Sequence, residues 1–94
     1  MKRKVYITRK DSSLTKYSGK VLNVWLDKSA SGQPDYKLAS GKTITITNVD
    51  EKSHNLIIQR MGLLIGDIQF YQIPKGTGDV ELLVDVNGAG KISI

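Results

Sequence analysis

Apolar side chains in this chain recur at every second position, and that period constrains its fold more than any other feature. Thr43-Ile44-Thr45-Ile46-Thr47 alternates without a break, with β-branched residues on both faces, as a strand with one wet and one dry face requires. Leu22, Val24 and Leu26 alternate with Val21, Asn23 and Trp25, and Val80, Leu82, Val84 and Val86 alternate with Glu81, Leu83 and Asp85. Asp67–Ile73 alternates over its first four residues, and shorter matches fall at Val5/Ile7, Leu56/Ile58 and Ile92/Ile94. Nowhere do apolar residues recur at i, i+3, i+4 and i+7 over a span that would support a stable helix. Turn-forming residues separate the runs: Asp11-Ser12-Ser13, Ser29–Asp35, Ser40-Gly41, Asp50–Ser53, Pro74–Gly78 and Asn87–Gly90. Asn87-Gly88 is a hairpin signal, because both residues tolerate positive φ. The pattern predicts an all-β fold: a single antiparallel β-sandwich of about seven short strands spanning residues 1–94, with a small OB-like β-barrel as the alternative. The stretch Ser29–Asp35 reads as a long mobile loop. Met61–Ile65, apolar without alternation, reads as closing one end of the core, and Leu14–Ser18 is left open between strand, turn and loose crossing.

Composition removes several kinds of chemistry. With no cysteine in 94 residues, disulfides, thiolate metal sites and a cysteine nucleophile are all absent. The single histidine, His54, excludes any site that needs two imidazoles from one chain. The longest apolar run, Met61–Ile65 with its flanking Gly66, falls far short of the roughly 18–20 residues of a membrane span. A basic start, Met1–Lys4, is not followed by the apolar run of a secretory signal. The expectation is a chain without a membrane span, cytoplasmic if complete.

Charge is unevenly spread. Residues 1–47 carry ten Lys and Arg against three Asp, whereas residues 48–94 carry four against six Asp and Glu, for a formal net charge of +5. Lys2, Arg3, Lys4, Arg9, Lys10, Lys16 and Lys20 hold much of the excess. Such residues attract phosphate backbones or an anionic surface. They equally serve as solvated charges that guard an edge strand against aggregation. Tyr6 and Tyr17 are the only aromatics among them, fewer than base-stacking proteins interleave. The candidate binding surface is therefore Lys2, Arg3, Lys4, Tyr6, Arg9, Lys10, Lys16 and Trp25. Trp25 is out of phase with Leu22, Val24 and Leu26, so it is either an inward-pointing core aromatic or an exposed platform, and the core is favoured. The same assumption of burial covers Tyr36, Phe70 and Tyr71.

No catalytic or metal-binding set emerges. Asp50, Glu51, Ser53 and His54 lie in one short stretch, whereas a hydrolytic triad converges on a buried acid, so the stretch reads as a solvated turn. A hydrolase would need a pocket joining His54 to an acid and to a nucleophile such as Ser53 or Ser93. Asp27, Asp35, Asp50 and Glu51 lack the closely spaced oxygen ligands of a calcium loop. Gly76-x-Gly78 and Gly88-x-Gly90 are hairpin glycines, because no helix start follows either. No cofactor is implied.

The order from Val24 to Ile58 carries a further signal. A strand ending in Asp27 precedes Gly32-Gln33-Pro34, then Lys37–Lys42, the alternating run Thr43–Thr47, and His54-Asn55-Leu56-Ile57-Ile58. This order resembles the PEGA-like β-sandwich modules of bacterial proteins, and Ile73-Pro74-Lys75-Gly76 ahead of Val80–Val86 is similar to their last hairpin. The resemblance implies a non-enzymatic accessory module and carries no catalytic residues. Pattern and resemblance together lead to the expectation of a non-catalytic interaction or structural module that binds a protein, or a glycan, through a sheet face or an edge strand. The alternative is a nucleic-acid-binding β-barrel that uses the basic amino-terminal region.

Overall fold

The seven alternating runs all form strands, and an eighth, too short to show a period, joins them. In a computed structural model that describes residues 2–11, 20–60 and 66–94, the strands are β1 (Arg3–Arg9), β2 (Leu22–Leu26), β3 (Tyr36–Leu38), β4 (Thr43–Val49), β5 (His54–Arg60), β6 (Ile68–Ile73), β7 (Val80–Val86) and β8 (Ile92–Ser93). The expectations for Leu14–Ser18, including Lys16 and Tyr17, and for Met61–Ile65 concern segments outside the described residues.

The strands build two four-stranded sheets, ordered β4-β1-β7-β8 and β3-β2-β5-β6. All pairs are antiparallel except β1 and β7, which run parallel with Val5 opposite Val80. The all-β sandwich holds, and the one departure from an antiparallel arrangement lies at the centre of the first sheet. Chain order explains it: everything between β1 and β7 first builds β4 and the whole second sheet, so β7 returns beside β1 from the same end. Parallel pairing requires such a long crossover.

The alternating apolar residues face one another between the sheets. Val5, Ile7, Ile46, Leu82, Val84 and Val86 from the first sheet meet Leu22, Val24, Leu38, Leu56, Ile58 and Ile73 from the second, all buried. Each such side chain removed from water contributes about 1.5–3 kcal/mol, which is what holds a domain of this size together.

The inner face of β1 reads Arg3, Val5, Ile7, Arg9, with an arginine at either end of the core layer, and both arginines are buried. Each charge is met by backbone carbonyls. Arg3 donates to the carbonyls of Asp50, Lys52 and Pro74 at 2.9–3.2 Å. Arg9 donates through one guanidinium nitrogen to the carbonyls of Lys20 and Leu38 at 2.5 and 3.1 Å. Desolvation lowers the Arg9 pKa from its ordinary value, and the group stays charged because guanidinium does not deprotonate in proteins. The arginines thereby tie the loops at the two ends of the sandwich to its central strand. That β1 is central, between β4 and β7, corrects the expectation that its basic residues guard an edge.

Three connections position the remaining elements. Asn48, at φ 60°, absorbs the extra residue of a bulge where the β1–β4 register shifts between Arg3 and Val5. The β7–β8 hairpin turns through Gly88-Ala89-Gly90, with Gly90 at φ 82° and the Asn87 side chain accepting from the Ala89 and Lys91 amides. Positive φ thus falls on Gly90 and not on the Asn87-Gly88 pair that marked the turn in sequence. Between the sheets, Arg60 Nε donates to the Gly90 carbonyl at 2.7 Å, and the Ile92 amide donates to Asp67 at 2.7 Å.

Candidate functional site

The second sheet presents an outer face on which one row of side chains crosses three strands. Its register places Trp25 opposite Ile57 and Ile57 opposite Phe70, all on the face away from the core because Leu22, Val24, Leu56 and Ile58 point inward. Burial changes along the row. Trp25 is 3% exposed and Ile57 8%, while Phe70 is 69% exposed. Trp25 is therefore buried, but on the outer face and outside the core cluster, which corrects the core position favoured from sequence. Phe70 contradicts the assumption of burial: its phase on β6 directs it outward at the sheet edge, while Tyr36 and Tyr71 are half-buried against the core.

Beside Phe70 lies an open groove of about 590 Å³, lined by Asp27, Lys28, Asn55, Ile57, Phe70 and Gln72 among others. Its polar wall is fixed by an unusual residue. Asp27 follows β2 with φ 56°, a left-handed conformation that aspartate tolerates better than most residues. Its backbone N–H donates to the Asn55 carbonyl at 2.8 Å, and its carboxylate accepts from the Asn55 amide at 2.9 Å. The same carboxylate accepts from His54 Nδ1 at 2.5 Å, and Asp50 accepts from His54 Nε2 at 2.8 Å.

With a carboxylate on each ring nitrogen, the arrangement demands two N–H donors, which is the imidazolium. The hydrogen bond to Asp27 raises the His54 pKa from its ordinary value, against a partial desolvation and with a further contribution from Asp50. Asp50 is in turn held below the usual carboxylate range, first by the Lys52 amide and then by His54. The turn itself is solvated as read, with Glu51, Lys52 and Ser53 exposed, but the His54 side chain that follows it is only 14% exposed. In this arrangement neither ring nitrogen has a lone pair for a general base. The three residues act as a clamp that joins the end of β2 to the β4–β5 turn. Among the described residues no group of three or more His, Asp or Glu side chains converges as metal ligands would.

The loop after β2 is closed at its neck by Asp35. Its carboxylate accepts from the Leu26 amide at 2.9 Å and from Lys28 Nζ at 2.7 Å, and both contacts lower its pKa. The groove wall formed by Asp27 and Lys28 is thereby held in place.

The residues picked from sequence do not gather at one surface. Arg3, Arg9 and Trp25 are buried, so none of them presents a side chain to a partner on the described surface. Lys2 and Lys4 lie at one end of β1 and Lys10 at the other, all exposed. Six residues of extended chain, about 20 Å, separate Lys4 from Lys10. Tyr6 is half-buried on the outer face of the first sheet, beside Thr8 and Glu81. Sequence reasoning overlooked Asp27 and Phe70 as site residues. For Phe70 a signal existed: Phe70 is out of phase with Ile73, the inward residue that ends the strand.

The sheet edges complete the site. In the second sheet the edges are β3, three residues long, and β6, six residues long. Asp67 directs its carbonyl at the Arg60 amide across the β5–β6 pair, at 2.8 Å. By alternation, the backbone N–H and C=O groups of Ile68, Phe70 and Gln72 point away from β5, along a side of the sheet on which no strand pairs among the described residues. No residue of β6 is charged. Natural edge strands usually carry lysine, proline or a bulge to deter pairing. Comparison of the chain with protein-family models, with curated proteins and with solved structures finds no match.

Proposed function

We propose that the protein is a non-catalytic interaction module that accepts an extended segment of a protein partner along the free edge of β6. The observation that carries this reading is a six-residue, charge-free edge with Phe70 69% exposed on it. Strand addition would satisfy the outward amides and carbonyls of Ile68, Phe70 and Gln72, and alternate partner side chains would pack beside Phe70 and the groove. Main-chain pairing supplies affinity in this mode, and the groove supplies selectivity. The accessory role implied by the resemblance of Val24–Ile58 to PEGA-like modules agrees with it, as does the engagement of both His54 nitrogens.

The test is selection of displayed random peptides against the protein, followed by titration of the enriched peptides. Binding is expected to weaken at least tenfold in Gln72→Pro, which removes an outward N–H from the edge, and severalfold in Phe70→Ala. Enriched peptides that bind both variants as tightly as the parent would overturn the reading. So would a single-stranded oligonucleotide that binds at low salt, loses affinity steeply as salt rises and competes with no peptide, since that behaviour belongs to phosphate contacts by the exposed lysines.

A further inference from the structure

The first sheet has its own long edge, β4, on the side away from β1. It too is uncharged, seven residues from Thr43 to Val49, and among the described residues no strand pairs with its outer side. The Arg9 amide donates to the Lys42 carbonyl at 2.8 Å, so, up to the bulge at Asn48, the backbone groups of Lys42, Ile44 and Ile46 face β1. Those of Thr43, Thr45 and Thr47 therefore face outward. All three threonines are exposed, Ile44 is half-buried at the edge, and Ile46 is buried.

The run Thr43-Ile44-Thr45-Ile46-Thr47 reads the same in both directions. We propose that β4 pairs antiparallel with the β4 of a second copy of this chain, about a two-fold axis at Thr45. In that register Thr45 lies opposite itself, Thr43 opposite Thr47, and Ile44 opposite Ile46. Because opposed residues have the same phase, core face continues into core face across the pair, and the half-exposed Ile44 packs on a partner isoleucine. About six main-chain hydrogen bonds form, two for each threonine pair. The side-chain pairs, Thr with Thr and Ile with Ile, are of the kind that stabilise sheets. The nearest charges flanking the strand are Lys42 before it and Asp50 after it. Antiparallel pairing sets each end against its opposite charge, whereas a parallel pair would set like against like. The occupant fitted by an edge that is its own complement is a second copy.

A seven-residue edge buries less than the roughly 1,200–2,000 Å² of a stable complex, so the dimer is weak and concentration-dependent. The inference goes beyond the peptide-accepting reading of β6 and is independent of it. Sedimentation velocity between about 10 µM and 1 mM is the test, the range in which a weak self-association shows. The mass is expected to rise from 10.4 kDa toward twice that value. Thr45→Lys, at an exposed position, sets two like charges face to face and is expected to remain monomeric throughout. Mixing Thr45→Lys with Thr45→Glu is expected to restore the dimer, and Phe70→Ala to leave it unchanged. A parent protein that stays at 10.4 kDa to the top of the range would overturn the proposal. Undiminished association of Thr45→Lys alone, or failure of the charge-swapped mixture to associate, would overturn it as well.

Discussion

His54 stands between Asp27 and Asp50, 27 and 4 positions away in sequence, and its charge state decides whether the clamp holds. Its folded-state pKa is raised above the ordinary value of about 6.5. The stabilisation it supplies is therefore fully present below about 6.5 and is lost as pH rises through the folded value. The carboxylates behave in the opposite sense. Asp35, Asp50 and Asp67 are depressed, so their contribution is present above the ordinary carboxylate range and fades as pH falls through their lowered values. Urea unfolding of the parent and of His54→Gln should show the parent more stable at about pH 5.5 and the difference shrinking toward about pH 9. A difference that grows with pH would contradict the clamp. Only half of it was legible beforehand: Asp50 sits four residues from His54, but Asp27 reaches it through β2–β5 pairing, which no local pattern reports. The buried arginines contradict the reading of Arg3 and Arg9 as surface charges, although both keep strict phase with Val5 and Ile7, a period that puts them on the inner face.

At the scale of the strand, backbone direction matters more than side-chain type. Alternation assigns the Gln69 amide to the β5–β6 ladder and the Gln72 amide to the free edge. Proline at the two positions should therefore behave differently. Gln69→Pro removes a ladder hydrogen bond and is expected to cost about 3 kcal/mol, whereas Gln72→Pro should cost under about 1 kcal/mol, both by urea denaturation. Equal losses would mean that the outward groups have been misassigned. The long strands were legible because six or seven residues show a period. Tyr36-Lys37-Leu38 was not, because three residues cannot; β3 exists through its pairing with Leu22–Val24. Nor did alternation say which strands are edges. Basic β1, with Arg3, Lys4 and Arg9, has the composition of an edge and lies at the centre, while the uncharged β4 and β6 lie outside.

Across the whole molecule, the pairing of β1 with β7 sets the kinetics. It joins Val5 to Val80 at the centre of the first sheet, so the sheet is incomplete until most of the chain has been brought together. Folding dominated by such non-local contacts runs on the millisecond-to-second scale, and stopped-flow refolding is expected to give rates of about 1–1,000 s⁻¹. A microsecond phase with full amplitude would contradict this topology. The same closure explains the loss of a single basic patch: the positive half of the chain is folded through both sheets, two of its arginines are spent inside, and the exposed lysines are dispersed. Among the described residues no helix is long and apolar enough to cross a membrane. The proposed recognition feature is the edge of β6, on which no strand pairs among the described residues, with Phe70 upon it. Cross-strand nuclear Overhauser effects between a selected peptide and the labelled protein test that claim most directly. The account predicts contacts from the peptide backbone to the amide protons of Ile68, Phe70 and Gln72 in an alternating pattern. A peptide that binds with its contacts on the first sheet or around Lys2, Lys4 and Lys10, and none along β6, would contradict it.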